Sequence, residues 1–226
     1  MELCGLPGAG KSTLARRLGG ASADDVVLVD ARVAAAAPLP VRLGRKLVLV
    51  GREAATSPWQ EVMTARALLR GQSGRDRLAV PAQWLLARRL LDQAHRAVGT
   101  AAVVEEGLVQ ALWTAGVLRR GGPDADGLLD LASSASRPDL VVHLQVSVAT
   151  VLTRLRSRGS RHSRVQHLPP AEQLITLRHG EDLLGSLLQG WQQRAYGDVL
   201  VVSGDDGDPV GAVAAAVRTR ANDLAR

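Results

Sequence analysis

The residues Gly5-Leu6-Pro7-Gly8-Ala9-Gly10-Lys11-Ser12 carry the sharpest chemical signal in the chain, matching the spacing G-x-x-x-x-G-K-[ST]. A short apolar run precedes them, and a stretch that reads as a helix, Thr13 to Leu18, follows. Phosphate oxygens need several donors converging at once. Glycines let backbone N–H groups turn inward without a Cβ clash, and a helix N-terminus adds its positive end. In such a loop Lys11 reaches the β- and γ-phosphates and the Ser12 hydroxyl binds Mg²⁺. An accidental lysine in a glycine turn would not explain why the motif and its strand–loop–helix setting occur together. Gly5, Pro7, Gly8, Ala9, Gly10, Lys11, Ser12 and Thr13 are therefore the residues expected around a nucleoside triphosphate. Guanine readers use an Asn-Lys-x-Asp segment, which the sole asparagine, Asn222 before Asp223, cannot supply. ATP and Mg²⁺ are the expected cofactors.

Phosphoryl transfer also needs a carboxylate near the metal or the acceptor hydroxyl, and cations for the moving charge. In parallel sheets such groups sit where strands end. Asp30 closes the run Val26–Val29, and Glu105-Glu106 closes Ala101–Val104. Glu105 is expected at the magnesium, directly or through water, and Asp30 as general base or ligand of the acceptor hydroxyl. Helix capping or plain solvation is the alternative for both. Arg154 and Arg158 lie four apart on one helix face, and Arg161 and Arg164 continue the series through a polar loop. These arginines could close over the triphosphate and stabilise transition-state charge, or simply complement a helix C-terminus. Arg32, Trp84, Arg88 and Glu106 are the candidate acceptor contacts. Trp84 and Arg88 fall in an arginine-rich helical stretch that would suit a solvated face equally well. The five histidines show no metal-ligand spacing; His95, His143 and His179 read as structural, and Trp113 as core.

Five short apolar runs must position these groups: 2–4, 26–30, 101–105, 140–146 and 199–203. Each has the length and composition of a strand buried on both faces, as in parallel sheets. Helical stretches with recognisable ends lie between them. Ser57-Pro58-Trp59-Gln60 reads as a capping box, a second helix starts at Pro81 and stops at Gly99, and Asp208-Pro209 starts the last one. Gly121-Gly122-Pro123-Asp124 breaks one helix and caps the next, while Leu174, Leu177, Leu184 and Leu188 form the apolar stripe of a late helix. The alternation predicts a three-layer α/β fold in a single domain, 1–226, with a helical acceptor-binding insert at 41–98 and a lid region at 154–170.

Composition narrows the classes. A chain of 226 residues with 46% hydrophobic and 22% charged content folds as one α/β unit, and the absence of Phe leaves Leu, Val and Ala to build its core. One cysteine, Cys4, excludes a disulfide scaffold and a cysteine zinc site. No apolar run approaches ~18 residues and no signal pattern opens the chain, so no membrane association and a cytoplasmic location are expected. The net charge of +6 suits nucleic acid or small phosphorylated ligands. Only Lys11 and Lys46 are lysines, so 26 of the 28 cations are arginines, and these collect in the helical insert and after the fourth strand run. Scarce aromatics argue against a single-strand stacking platform, so a small-molecule phosphate acceptor is the expected partner rather than nucleic acid. A homodimer is left open.

The order of these parts resembles the P-loop kinases of the nucleoside and nucleotide kinase group, thymidylate kinase most of all, over most of the chain. Gly5–Ser12 is similar to that group's phosphate loop, its Gly-x-Pro-Gly-x-Gly-Lys form to adenylate kinases. The segment 138–146, followed by Arg154 and Arg158, resembles the strand and lid helix of thymidylate kinases. Val201-Val202-Ser203-Gly204-Asp205 with Pro209 and Val213 resembles their final strand and helix, whose loop borders the adenine. The resemblance implies a five-stranded parallel sheet in order 2-3-1-4-5, an Arg-rich lid over ATP, and γ-phosphoryl transfer to a nucleoside, nucleotide or other small hydroxylated metabolite. Three departures bear on the acceptor. The usual acid-then-arginine at the end of the third strand is Glu105-Glu106-Gly107 here, Asp30-Ala31-Arg32 is not the group's motif, and no Phe exists to stack a thymine. A regulatory or nucleic-acid-linked P-loop ATPase, or a nucleotide-binding scaffold, is the competing reading.

Overall fold

A computed structural model describes residues 1–21, 26–29, 59–69, 71–72, 74, 76–96, 101–117, 119, 124–158, 163–205 and 207–224. The five apolar runs form one sheet: β1 (Glu2–Cys4), β2 (Val26–Val29), β3 (Ala101–Val104), β4 (Leu140–Gln145) and β5 (Asp198–Ser203). Their spatial order is β2-β3-β1-β4-β5, and every neighbouring pair is parallel. The central strand has no solvent face: Leu3 and Cys4 are fully buried. That placement is why β1 reads as an uninterrupted short run rather than an alternating one.

The helices are α1 (Lys11–Ala21), α2 (Trp59–Leu69), α3 (Asp76–Arg96), α4 (Leu108–Val117), α5 (Ala125–Leu131), α6 (Val148–Ser157), α7 (Pro170–Gln193) and α8 (Pro209–Leu224). A 3-10 turn, Arg164–His167, joins α6 to α7. Helices α1 and α8 pack together against β1, β2 and β5, while α3, α4 and α7 form a second group against β1, β2, β3 and β5. The late helix buries Leu177, Leu183, Leu184, Leu187 and Leu188, the i, i+3, i+4 spacing of a core-facing stripe. Leu174 of that stripe is only half-buried. Trp113 Nε1 donates to Gly180 O at 2.6 Å and ties α4 to α7.

Two helix starts follow the sequence. The Asp124 carboxylate accepts from Gly127 N at 3.0 Å, and the Asp208 carboxylate from Val210 N at 3.1 Å. A third does not: α3 begins at Asp76, so Pro81 lies inside the helix and not at its first position, and the helix ends at Arg96. Helix α3 covers β2 and β3 and packs on α4. The Ser57-Pro58 cap, Gly121-Gly122-Pro123 and much of the 41–98 segment lie outside the described residues. Among the described residues no helix is long and apolar enough to cross a membrane.

Candidate functional site: a phosphate loop opening on a cavity

The loop between β1 and α1 is shaped by its glycines. Gly5 has φ 152°, and a Cβ there would stand 2.7 Å from Leu144 O on β4. Only glycine lets the chain leave the sheet so close to its neighbour. Gly10, at φ 109°, accepts from Thr13 N and Leu14 N at 2.9 and 3.0 Å, so its carbonyl starts α1. No acidic residue occupies the first turn of α1, which leaves the positive end of that helix available to an anion. Lys11 Nζ donates to Gly5 O at 2.7 Å and Leu6 O at 3.2 Å, setting the ammonium inside the loop. Burial and the Lys11 charge hold the half-buried His143 on β4 below its ordinary pKa.

The end of β3 meets the loop. Ser12 Oγ donates to Glu105 Oε1, although 93 residues separate them in sequence. Glu105 is buried and Glu106 exposed. Two hard oxygen donors side by side at the phosphate loop fit Mg²⁺, which takes one or two protein oxygens and completes its shell with phosphate oxygens and water. Among the described residues no cluster of three or more His, Cys, Asp or Glu side chains forms another metal cage.

A cavity of about 340 Å³ continues from the loop, with Pro7, Gly8, Gly10, Lys11 and Ser12 on one side. Glu105, Glu106, Gln110, Thr114 and Trp113 line it from β3 and α4, Gln83 from α3, and Arg158, Ser163, Val165, Leu168 and Thr176 from the segment after α6. Gln110 and Gln83 were not singled out by the sequence reasoning. The signal available for Gln110 was a lone polar residue within the apolar run Leu108–Trp113. Gly5 N donates to Gln110 Oε1 at 3.2 Å, Gln110 N donates to Glu2 Oε1 at 2.9 Å, and Thr114 Oγ1 donates to Gln110 O at 2.9 Å. Glu2 is therefore a third missed residue, a carboxylate in a central strand. It is fully buried at the start of α4, and burial raises its pKa to about 7 against the opposing pull of the amides of Gln110, Val109 and Leu108.

The remaining expected residues fall in three groups. Lys11, Ser12, Glu105, Glu106 and Arg158 share the cavity with the loop residues Pro7, Gly8 and Gly10. Gly5 and Ala9 are buried in the loop's own framework, and Thr13 is exposed on the first turn of α1. Trp84 and Arg88 are displaced from their expected role. Trp84 is 2% exposed in the core, and neither residue lines the cavity; Gln83, one position earlier on α3, does so instead. The reason is helical phase: a 100° step per residue turns Trp84 toward the sheet when Gln83 faces the cavity. Asp30, Arg32 and Arg161 lie outside the described residues, as does the side chain of Arg164.

Arg154, expected to fold over a triphosphate, makes its hydrogen bonds to backbone carbonyls. Its Nη1 donates to Ala9 O at 2.9 Å and its Nη2 to Gly204 O at 3.0 Å, so the guanidinium ties the phosphate loop to the loop after β5. Next to it, Asp205 accepts from Ser147 N at 2.8 Å. That amide, then the Thr150 and Ser147 hydroxyls and the Arg154 charge, hold the Asp205 carboxyl below its usual value.

Among solved structures, the chain is similar to a deoxyadenosine kinase from M. mycoides with the products dCMP and dCDP, at a TM-score of 0.52 and 16% identity over 98% of each chain. Structures of deoxyadenosine kinase from M. mycoides with dCTP and with dATP give TM-scores of 0.48 at 15% and 17% identity, covering 97% and 98% of this chain and 100% and 98% of theirs. At such identities the likeness is one of fold. No curated protein sequence matches the chain. A family model described as an AAA domain matches residues 1–179, and with the phosphate loop, strands β1 to β4 and the Ser12–Glu105 contact all inside that span, the chain belongs to the AAA domain family.

Proposed function

We propose that this protein is an ATP- and Mg²⁺-dependent kinase that transfers the γ-phosphoryl group to a hydroxyl of a small acceptor. The observation that carries the reading is the cavity itself. It runs from the phosphate loop past the Ser12–Glu105 pair into a space lined by polar and apolar side chains of α3 and α4, which a water-activating ATPase would not need. Kinase structures of similar fold support it by analogy.

In this reading the loop amides and Lys11 hold the β- and γ-phosphates, while the base lies toward the loop that Arg154 and Asp205 brace. Ser12 and Glu105 would hold Mg²⁺, which supplies charge neutralisation across the β- and γ-oxygens. The acceptor oxygen attacks the γ-phosphorus, the bond to the β–γ bridging oxygen breaks, and ADP leaves. The hydroxyl proton goes to a carboxylate, Asp30 or Glu105, as the new phosphoester forms. Arg158, with Arg161 and Arg164 following it in the chain, closes the 154–170 region over the transferring group and stabilises its charge.

The test is ATP consumption by the full chain with and without a panel of hydroxylated acceptors, repeated with Lys11→Ala. The expected result is acceptor-dependent ADP formation that falls by at least ~10²-fold in the variant, about 3 kcal/mol of transition-state stabilisation, with the fold retained. Unchanged turnover in Lys11→Ala defeats the proposal, and acceptor-independent hydrolysis points to an ATPase instead.

A further inference from the structure

The polarity of the cavity wall follows from its hydrogen bonds, because a backbone N–H can only donate. The atom of Gln110 that meets Gly5 N is therefore its amide oxygen, and Nε2 is the end left over. Gln110 is 6% exposed and lines the cavity, and its Nε2 has no hydrogen-bond partner among the described residues. The backbone of Gln110 is held as well, its N–H by Glu2 and its carbonyl by Thr114, and Gly5 N holds the side-chain oxygen. On the same wall stand the Glu105 and Glu106 carboxylates, and the described cations of the lining are Lys11, inside the phosphate loop, and Arg158, at the end of α6. The acceptor side thus sets the Gln110 donor, with the Gln83 amide and the Thr114 and Thr176 hydroxyls, beside negative charge.

From this wall we infer that the acceptor is an unphosphorylated, neutral or cationic hydroxyl compound, and that Gln110 is the residue that orients it by donating from Nε2 to an oxygen or ring nitrogen. The inference rests on the kinase reading and names its substrate class. A hydroxyl or an amine on such a compound is welcomed by a carboxylate, whereas a phosphomonoester would bring its own negative charge against Glu106. A donor held in one direction also favours acceptors that offer it an oxygen or ring nitrogen over those that offer it nothing.

The experiment pairs acceptors that differ only in a phosphate: adenosine, deoxyadenosine, deoxycytidine and an aminocyclitol, each against its monophosphate. They are assayed with ATP and Mg²⁺ by mass detection of product, and titrated calorimetrically into the protein loaded with a non-hydrolysable ATP analogue. The unphosphorylated member of a pair is expected to be used or bound at least ~10-fold better. Gln110→Glu keeps an oxygen for Gly5 N but turns the cavity-side donor into an acceptor. It is expected to raise the acceptor KM by ~10-fold or more while the ATP KM stays within about twofold. Preference for the monophosphates, binding of no member of the panel, or a Gln110→Glu effect on ATP rather than on the acceptor overturns the inference. A monophosphate preference that still depends on Lys11 overturns it while leaving the kinase reading intact. Turnover indifferent to Lys11→Ala removes the kinase reading itself.

Discussion

Replacing Glu2 with Gln should make the protein more stable, and increasingly so as the pH rises. Glu2 is fully buried; its Oε1 accepts from Gln110 N, and its Oε2 has no hydrogen-bond partner among the described residues. Gly107 is what allows the close approach, since a Cβ there would stand 2.4 Å from the Glu2 carboxyl carbon. Burial lifts the pKa from 4.5 to about 7 in the folded chain. Below the unfolded value both states are protonated and the group contributes nothing. Between 4.5 and about 7 the unfolded chain releases a proton that the folded chain keeps, so stability falls as the pH rises. Above that window the whole penalty is present, about 3 kcal/mol. Gln cannot titrate, and its oxygen can still accept from Gln110 N. Its NH₂ would replace the unpartnered Oε2 at a cost of about 1 kcal/mol. The net gain at pH 8 is then about 2 kcal/mol, and at pH 4.5 the variant is no more stable than the parent. Urea unfolding of both proteins from pH 4.5 to 8.5 measures this directly. Two stability curves that run parallel across that range would refute the assignment of the penalty to Glu2.

Two further substitutions probe the frame around the site. Arg154→Lys cannot reach Ala9 O and Gly204 O together from one ammonium. It should cost about 1–2 kcal/mol of stability and shrink the rise in melting temperature that ATP confers, both read by thermal unfolding with and without nucleotide. Trp113→Phe removes the donor to Gly180 O between α4 and α7 and should cost about 1–3 kcal/mol in urea unfolding; an unchanged midpoint would mean that this hydrogen bond contributes nothing.

The features that depend on neighbours in sequence were legible before any coordinates. The phosphate loop is contiguous, its glycines are required by local backbone sterics, and a helix follows it, beginning at Lys11, two residues before the Thr13 start read from the sequence. The strand runs, the Asp124 and Asp208 caps and the apolar face of α7 are likewise short-range matters of periodicity and capping. Pro81 misled because a proline that so often begins a helix is tolerated here five residues inside one. Trp84 and Gln83 are adjacent, and which of them faces the sheet depends on the phase of α3 against β3, not on either residue's chemistry.

The site as a site is a product of the sheet. Strand β1 lies between β3 and β4, with Glu2 in register with Val104 and Val141, and that pairing carries Ser12 to Glu105 and Gly5 to Gln110. The same arrangement sets Arg154 between two loops, 145 residues from one and 50 from the other. Residue types alone pointed to phosphate, because anion binding needs only one loop and one helix end. What stands opposite that phosphate, a donor from Gln110 amid carboxylates, was decided by tertiary structure. Partners a hundred residues apart are brought together by strand order and register, which no local pattern encodes.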